Sequence, residues 1–543
     1  MLGYYVTEKH GALVAVFPIR KDLRYAIPFK EPEETRKIPE DAAERSPGSC
    51  VTYGDDGEKF GVWPKTYEWV FEKGWLGRFF KMLEENADWI RLRTLSEARS
   101  ESPPSGRVYL PATSYHEMTE WALPTPAGRT LQKLTVELKQ SGTWERQESF
   151  IRGGYWDNFF AKYEEANRMH KRMLHVSAKV QRCPAKSAHT EIARRALYQG
   201  QCNCAYWHGL FGGLYLNYLR DAVYRHLARA ETLADLILHG GIPKARAYTA
   251  GFDADGAEEI IAETPWFRAV IDPADGGSLA DLVLVRQNFC VTNVMSRREE
   301  IYHASVRNAV AEGETELKSA HDIIVAKEPN LERHLRFDRY ARSCLRDFFV
   351  DGALTPETLR EGQWTSIDGG ETAEHAARIR RPRSGTSVTV ELVREAPRRV
   401  GVTKELIFSK DSPAIDVIVT IRNLTAEPFS GEHAVEWNLS LLARDADDRR
   451  LDVDAGKRDF SELFFERSRT LRLTDGWQNF SLFVEFGADV ALAHYPVETV
   501  SQSESGFERV YQGACITTFR PIDLPPKGKA QFAMRLTLSD LLQ

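Results

Sequence analysis

The chain has 543 residues, of which 42% are hydrophobic, enough for roughly three to four ordinary globular domains. A formal net charge of -6 and a pI near 6.2 exclude the basic footprint of a nucleic-acid binder and a polybasic membrane patch. No apolar run approaches the roughly 20 residues needed to cross a bilayer, and the first residues have neither a basic nor an apolar leader region, so a cytoplasmic protein is expected.

Seven cysteines form an odd, sparse set, which suits reduced thiols better than a disulfide framework. Cys202 and Cys204 lack the second pair that a structural metal would want.

Ala12 to Ile19 reads as a buried strand, and Glu31 to Arg45 as a broken helix. A further strand, Cys50 to Tyr53, ends in Gly54-Asp55-Asp56-Gly57, which sets two acids at its C-terminal tip, where α/β barrels keep their chemistry. Phe60, Trp63, Tyr67, Trp69 and Trp75 follow closely, and aromatic faces beside carboxylates suit a sugar. Pro64 occupies a helix N1 position, with Tyr67, Val70, Phe71, Trp75 and Phe79 at helical spacing behind it. Ala87 to Leu95 and Arg107 to Leu110 are the next strand candidates, and Pro111 to Pro124 is a long polar and aromatic loop.

From about Arg152 the pattern is helical, with apolar periodicity over 158–176, 193–198 and 214–233. It is interrupted by Gln201 to Gly213, where Trp207 and His208 among glycines fit either a core or a pocket wall. After about Pro243 short alternating strands separated by Gly, Asp, Asn and Pro predict a β-sandwich. Glu312 to Asp322 reads as a polar excursion and Glu357 to Arg383 as a charged connection. Eight of the twelve tryptophans precede residue 210, so the ligand is expected in the first part of the chain.

Four stretches carry a family resemblance: Gly54 to Gly61, Tyr109 to Tyr115 with Glu120 to Pro124, Gln201 to Gly213, and Ser501 to Gly506. With these the chain resembles glycoside hydrolase family 57, in its α-amylase and 4-α-glucanotransferase branch. The resemblance implies an α/β plus all-β chain: part of a (β/α)7 barrel over 1–145, a helical domain completing the active site over 146–240, and a galactose mutarotase-like β-sandwich over 241–543. It implies retaining cleavage or transfer of α-1,4-glucans, which needs two carboxyl groups about 5 to 5.5 Å apart. Asp56 matches the family's acid/base, and Asp55 beside it would raise its pKa by like-charge repulsion. Trp63, Glu120, Trp121, Trp207 and His208, with Asp55, match substrate-binding positions. Glu58 is read as structural.

The family nucleophile, a glutamate in a Glu-x-x-Trp-x-Pro setting behind a His-Gln-Pro motif, has no match in this sequence. The resemblance therefore implies a chain lacking its first β/α units, inactive alone, with an apolar edge at Ala12 to Phe17. Cys204 stands where related glucanotransferases carry an aspartate, which counts against transfer and leaves hydrolysis open. The partner implied is an α-glucan or maltooligosaccharide, acted on by an enzyme or merely held by a non-catalytic binder, and the oligomeric state, a homodimer included, is left open. No cofactor is called for. A Ca²⁺ in the sandwich is not derivable, because Asp253, Asp255 and Glu504 are too scattered to define about six to eight oxygen ligands.

Overall fold

The computed structural model describes residues 2–541 except 64, 242–243, 307–309, 312–324, 353, 383–384, 396–398 and 504–505. The expectations for Pro64, for Glu312 to Asp322 and for Glu504 therefore lie outside the described residues. The chain separates into two compact units, residues 1–113 and, from 114 onward, a helical layer together with the two larger sheets.

In the first unit Tyr5–Lys9 and Ala12–Val16 form an antiparallel hairpin. His10 (φ 51°) and Gly11 (φ 84°) turn it, a two-residue loop with both residues left-handed that matches the right-handed twist of the strands. That turn corrects the buried strand expected over Ala12 to Ile19: it folds the segment back on its neighbour and leaves Leu13 69% and Val14 60% exposed. Parallel pairing in this unit is limited, among the described residues, to isolated bridges, Ile19 with Thr52 and Val6 with Arg107.

Glu31 to Arg45 is a continuous helix, Pro32–Arg45, with Pro39 inside it. The segment Ala87 to Leu95 is not a strand. Thr94 caps the helix Leu95–Glu101 through a reciprocal box, Glu97 N to Thr94 Oγ1 at 3.3 Å and Thr94 N to Glu97 Oε2 at 2.8 Å, a local signal that outranks a short apolar run. The helix expected behind the Asp-Asp-Gly turn is split into a π-type turn, Glu68–Glu72, and the helix Trp75–Glu85. Trp75 is the centre of this unit's core with Leu23 and Ile27, and Phe60 and Trp69 pack against them. Their indole nitrogens donate to the Lys30 carbonyl (Trp75, 2.7 Å) and the Pro28 carbonyl (Trp69, 2.7 Å). These three aromatics are core, not ligand faces.

The second unit opens with helices His116–Trp121 and Thr125–Gln140. The helix marked by Asn158 to Val176 is broken at Tyr163 into Asn158–Lys162 and Glu164–Gln181, and Ala188–Gln199 and Asn217–His239 complete the layer. A five-stranded antiparallel sheet follows, in the order Arg246–Ala250, Glu259–Glu263, Phe267–Asp272, Ser278–Leu284, Phe289–Cys290. A larger sheet, built on Ser387–Arg394, Val400–Ser409, Ala414–Asn423, Phe480–Ser503, Gly506–Leu524 and Lys529–Asp540, faces it.

Strand alternation decides what each face meets. Phe267, Ala269 and Ile271 share one core with Val388, Val390, Leu392, Leu406 and Phe408 of the larger sheet. Arg268 and Asp281 lie on the other face of the small sheet and meet the helices through buried charges. Lys179 Nζ bonds Glu231 Oε1 (2.7 Å) and Glu263 Oε1 (2.6 Å), Arg172 Nε bonds Asp281 Oδ2 (2.7 Å), and Arg268 Nη2 bonds Asp235 Oδ2 (2.9 Å). Burial opposes the charge on Lys179, yet Glu231, Glu263 and Asp235 hold its pKa above the ordinary value, and the same cations hold Glu231 well below its own.

A buried ion pair is costly to half-remove, since the surviving charge stays out of water. Glu231→Gln should therefore lower the unfolding free energy of the second unit by about 3 to 5 kcal/mol in urea denaturation, and a loss below about 1 kcal/mol would show that the network contributes little.

Candidate functional site

The Asp-Asp-Gly turn is built around Arg24, on the helix Lys21–Ala26. Its Nε donates to Asp55 Oδ1 at 3.1 Å and its Nη2 to Asp56 Oδ2 at 2.8 Å, so one guanidinium spans both carboxylates. Asp55 also takes the Lys59 ammonium (2.9 Å), the Tyr53 hydroxyl (3.1 Å) and the Asp56 backbone N–H (2.9 Å). Its side chain is 2% exposed, against 44% for Asp56. Asp55 is thus the anchor of the turn and Asp56 the carboxyl open to solvent. The charge that Asp55 was expected to direct at Asp56 is matched by Lys59 and Arg24. Burial and the Asp55 carboxylate push the Tyr53 hydroxyl far up, which keeps it a donor.

Lys59 is itself buried, bonded to the Arg24 carbonyl at 2.8 Å. It stands 5.5 Å from the ring centres of Phe29 and of half-buried Trp63, which stack 6.0 Å apart. Asp55, Asp56 and Trp63 are therefore one constellation.

In the second unit Trp121 and Trp207 stack at 5.9 Å with 24° between ring planes, and Trp207 also meets Phe159 at 5.9 Å. Gly209 lies against the Trp121 ring, where a Cβ would stand 2.4 Å from Cε3. That close approach, and not a flexible loop, accounts for a glycine here. Lys162 Nζ holds the Trp121 carbonyl at 3.0 Å and Glu300 Oε2 at 3.0 Å, and Glu300 Oε1 accepts from Tyr163 (2.7 Å) and Tyr215 (2.8 Å). Burial would raise Glu300, but Lys162, His208 and Tyr163 hold it down at about 2. Sequence reasoning missed Lys162 and Glu300, because neither lies in a motif stretch and only the fold brings them together.

His208 packs as a core residue. It is 2% exposed, its Nδ1 faces the Phe211 and Gly212 carbonyls at 3.1 and 3.0 Å, and its Nε2 lies 3.0 Å from the Tyr302 hydroxyl. Burial pushes its pKa down to about 4. A neutral imidazole with both nitrogens engaged positions the loop. Glu120 is half-buried, accepts from Gln132 at 2.8 Å, and is raised in pKa by burial.

Among the described residues, two sets of side chains put ligand atoms within 4.8 Å of one another. Glu231 and Glu263 already hold Lys179, and His175 faces Glu231, which leaves no charge for a metal to balance. Asp253, Asp255 and Glu259 are oxygen donors of the kind a hard cation takes. The scatter expected of Asp253 and Asp255 is removed by Glu259, which the neighbouring strand carries back to them. Glu259 is buried, its Oε1 has no hydrogen-bond partner among the described residues, and burial pushes its pKa up to about 7.

Comparison with known proteins gives a consistent result along the chain. The family profile described as glycosyl hydrolase family 57 matches residues 1–111. The middle and C-terminal domains described as alpha-amylase/4-alpha-glucanotransferase match 154–234 and 251–534. Alpha-amylase 1 of Dictyoglomus thermophilum is 36% identical over 97% of this chain and 75% of its own length. The 4-alpha-glucanotransferase of Thermococcus litoralis is 33% identical over 96% of this chain and 74% of its own. The crystal structure of 4-alpha-glucanotransferase from that organism superposes with a TM-score of 0.79 over 98% of this chain and 74% of the other, at 30% identity.

Two stability measurements follow from the site geometry. Asp55→Asn leaves the Lys59 ammonium buried beside a neutral amide and should cost about 3 to 5 kcal/mol, while Asp56→Asn removes a half-exposed pair and should change stability by less than about 1 kcal/mol; the reverse order in thermal unfolding would contradict the anchor role. Glu259 keeps its proton to about pH 7 when folded, against an ordinary 4.5 in the unfolded chain. Folding takes up a proton between those values, so this group's contribution falls as pH rises from 4.5 to 7. In metal-free buffer Glu259→Gln should raise Tm relative to the unsubstituted protein at pH 8 and leave it unchanged near pH 4; equal Tm differences at both would refute the buried-acid account.

Proposed function

The chain belongs to glycosyl hydrolase family 57, and from that premise we propose that it acts on α-1,4-glucans as a retaining hydrolase or transferase of the α-amylase/4-α-glucanotransferase kind. Asp56 is the acid/base. What supports this is the contrast between two adjacent acids: Asp55 has all its hydrogen-bonding capacity committed to the fold, while Asp56 is exposed and carries one arginine contact. Protonating a leaving glycosidic oxygen needs a carboxyl that substrate can reach.

Trp63 and the Trp121–Trp207 pair supply aromatic faces for sugar rings. Each is partly exposed and held by neighbours that fix its orientation, so little freedom is lost when a sugar stacks on it. Lys59, bonded to Asp55, stands over Trp63, and Lys162 holds the Trp121 carbonyl. Cys204 is exposed beside Asn203, and a thiol there offers an acceptor sugar less than a carboxylate would, which favours hydrolysis over transfer.

The nucleophile of the pair is proposed not to lie among these 543 residues. No glutamate here occupies the family's Glu-x-x-Trp-x-Pro setting, and the carboxyl sharing Arg24 with Asp56 is its own neighbour, fully paired. Without it the double-displacement route is closed. The purified chain should then hydrolyse maltoheptaose negligibly, and co-expression with the N-terminal portion of a relative should restore activity that Asp56→Asn lowers by orders of magnitude. Robust activity of the isolated chain, abolished by substituting Glu117 or Glu120, would contradict this reading.

A further inference from the structure

The second unit contains a cavity of about 110 Å³ whose wall includes five arginines, Arg297, Arg336, Arg360, Arg444 and Arg509, and one glutamate, Glu498. It is built from residues 297–360 and from the sandwich strands, and neither Trp121 nor Trp207 is in its wall. Its ion pairs are short of anions. Asp338 serves both Arg297 (2.7 Å) and Arg342 (2.6 Å), and Glu361 serves both Arg336 (2.8 Å) and Arg360 (3.0 Å). Glu498 is shared by Arg444 and Arg509, and Arg509 has Glu328 as well, at 3.0 Å. Six guanidinium groups thus share four directly paired carboxylates, with Asp459 and Glu436 acting on Arg444 and Arg342 from beyond ion-pair distance.

Donors are also left over. Arg336 uses Nε on Glu361, and both its terminal nitrogens lack a hydrogen-bond partner among the described residues. Nη1 of Arg360 and Nη2 of Arg444 are likewise without one. His334 completes the wall, and burial together with the Arg509 and Arg336 charges, against Glu328 and Glu498, holds its pKa below the ordinary value. Arginine forks pair with tetrahedral oxyanions through several charge-assisted bonds at once, and the unused donors of Arg336, Arg360 and Arg444 fit such an anion.

We propose that this cavity is a binding site for a phosphate group, either as inorganic phosphate or as the phosphate of a sugar monoester. It stands independently of Asp56 and of glucan turnover. A cavity of this size takes one tetrahedral anion, and anything larger must extend past its partly exposed arginines, among them Arg336, Arg360 and Arg444.

The test is calorimetric titration of the full 543-residue chain at pH 7.5 with inorganic phosphate, with sodium chloride holding ionic strength constant. Saturable one-to-one binding is expected, and Arg336→Gln combined with Arg444→Gln should weaken it at least tenfold. Arg336→Lys keeps charge and stem but loses the fork, so it should weaken binding even where the double variant folds poorly. Arg469→Gln, an exposed arginine paired with Asp489 elsewhere on the sandwich, should bind as the unsubstituted chain does. Glucose 1-phosphate binding tighter than phosphate would identify a sugar monoester as the ligand, and equal affinity the free anion. No saturable heat, or affinity unchanged in both Arg336 variants, would overturn the proposal.

Discussion

The second unit depends on charges that are never solvated. Lys179 and Arg172 on one helix, Glu231 and Asp235 on another, and Glu263, Arg268 and Asp281 on the small sheet form one buried network. Apolar contacts alone would let helices slide over a sheet, because area burial is indifferent to register. Fixed pairs between named atoms are not. They set where the helix Glu164–Gln181 lies, hence where Phe159, Lys162 and Tyr163 emerge at its start, and hence where the Trp121 carbonyl and the Trp207 ring are held.

The first unit uses the same device on a smaller scale. Arg24 and Lys59 neutralise Asp55 beneath the turn, and in doing so present Asp56. In both places a fully paired carboxylate, Asp55 or Glu300, positions the groups offered to solvent. The residues that would meet a glucan are thereby separated from those that hold them, which explains why motif stretches contain both kinds.

Much of this was legible in the sequence. Strand alternation located Ser387–Arg394, Ala414–Asn423 and Lys529–Asp540, whose period-two pattern answers to two faces of different polarity. Helical periodicity located Ala188–Gln199 and Asn217–His239. The failures have physical causes. Ala12 to Phe17 reads as buried because composition cannot show that the His10-Gly11 turn folds it back with one side open. Trp75 and Trp69 look like ligand aromatics until their indole nitrogens are seen to be satisfied by core carbonyls. His208 was ambiguous because its partner Tyr302 lies far away in sequence, and Lys162, Glu300 and the arginine-lined cavity were invisible for the same reason.

The central claim is that this chain recognises α-1,4-glucan through partly exposed tryptophans held in fixed orientation. Titrating maltoheptaose into the intact chain while following tryptophan emission tests it most directly, since binding does not require turnover. The account predicts a saturable change that Trp207→Ala diminishes and that a β-1,4-linked glucan of equal length fails to produce. No response to maltoheptaose, or an equal response to the β-linked chain, would contradict it.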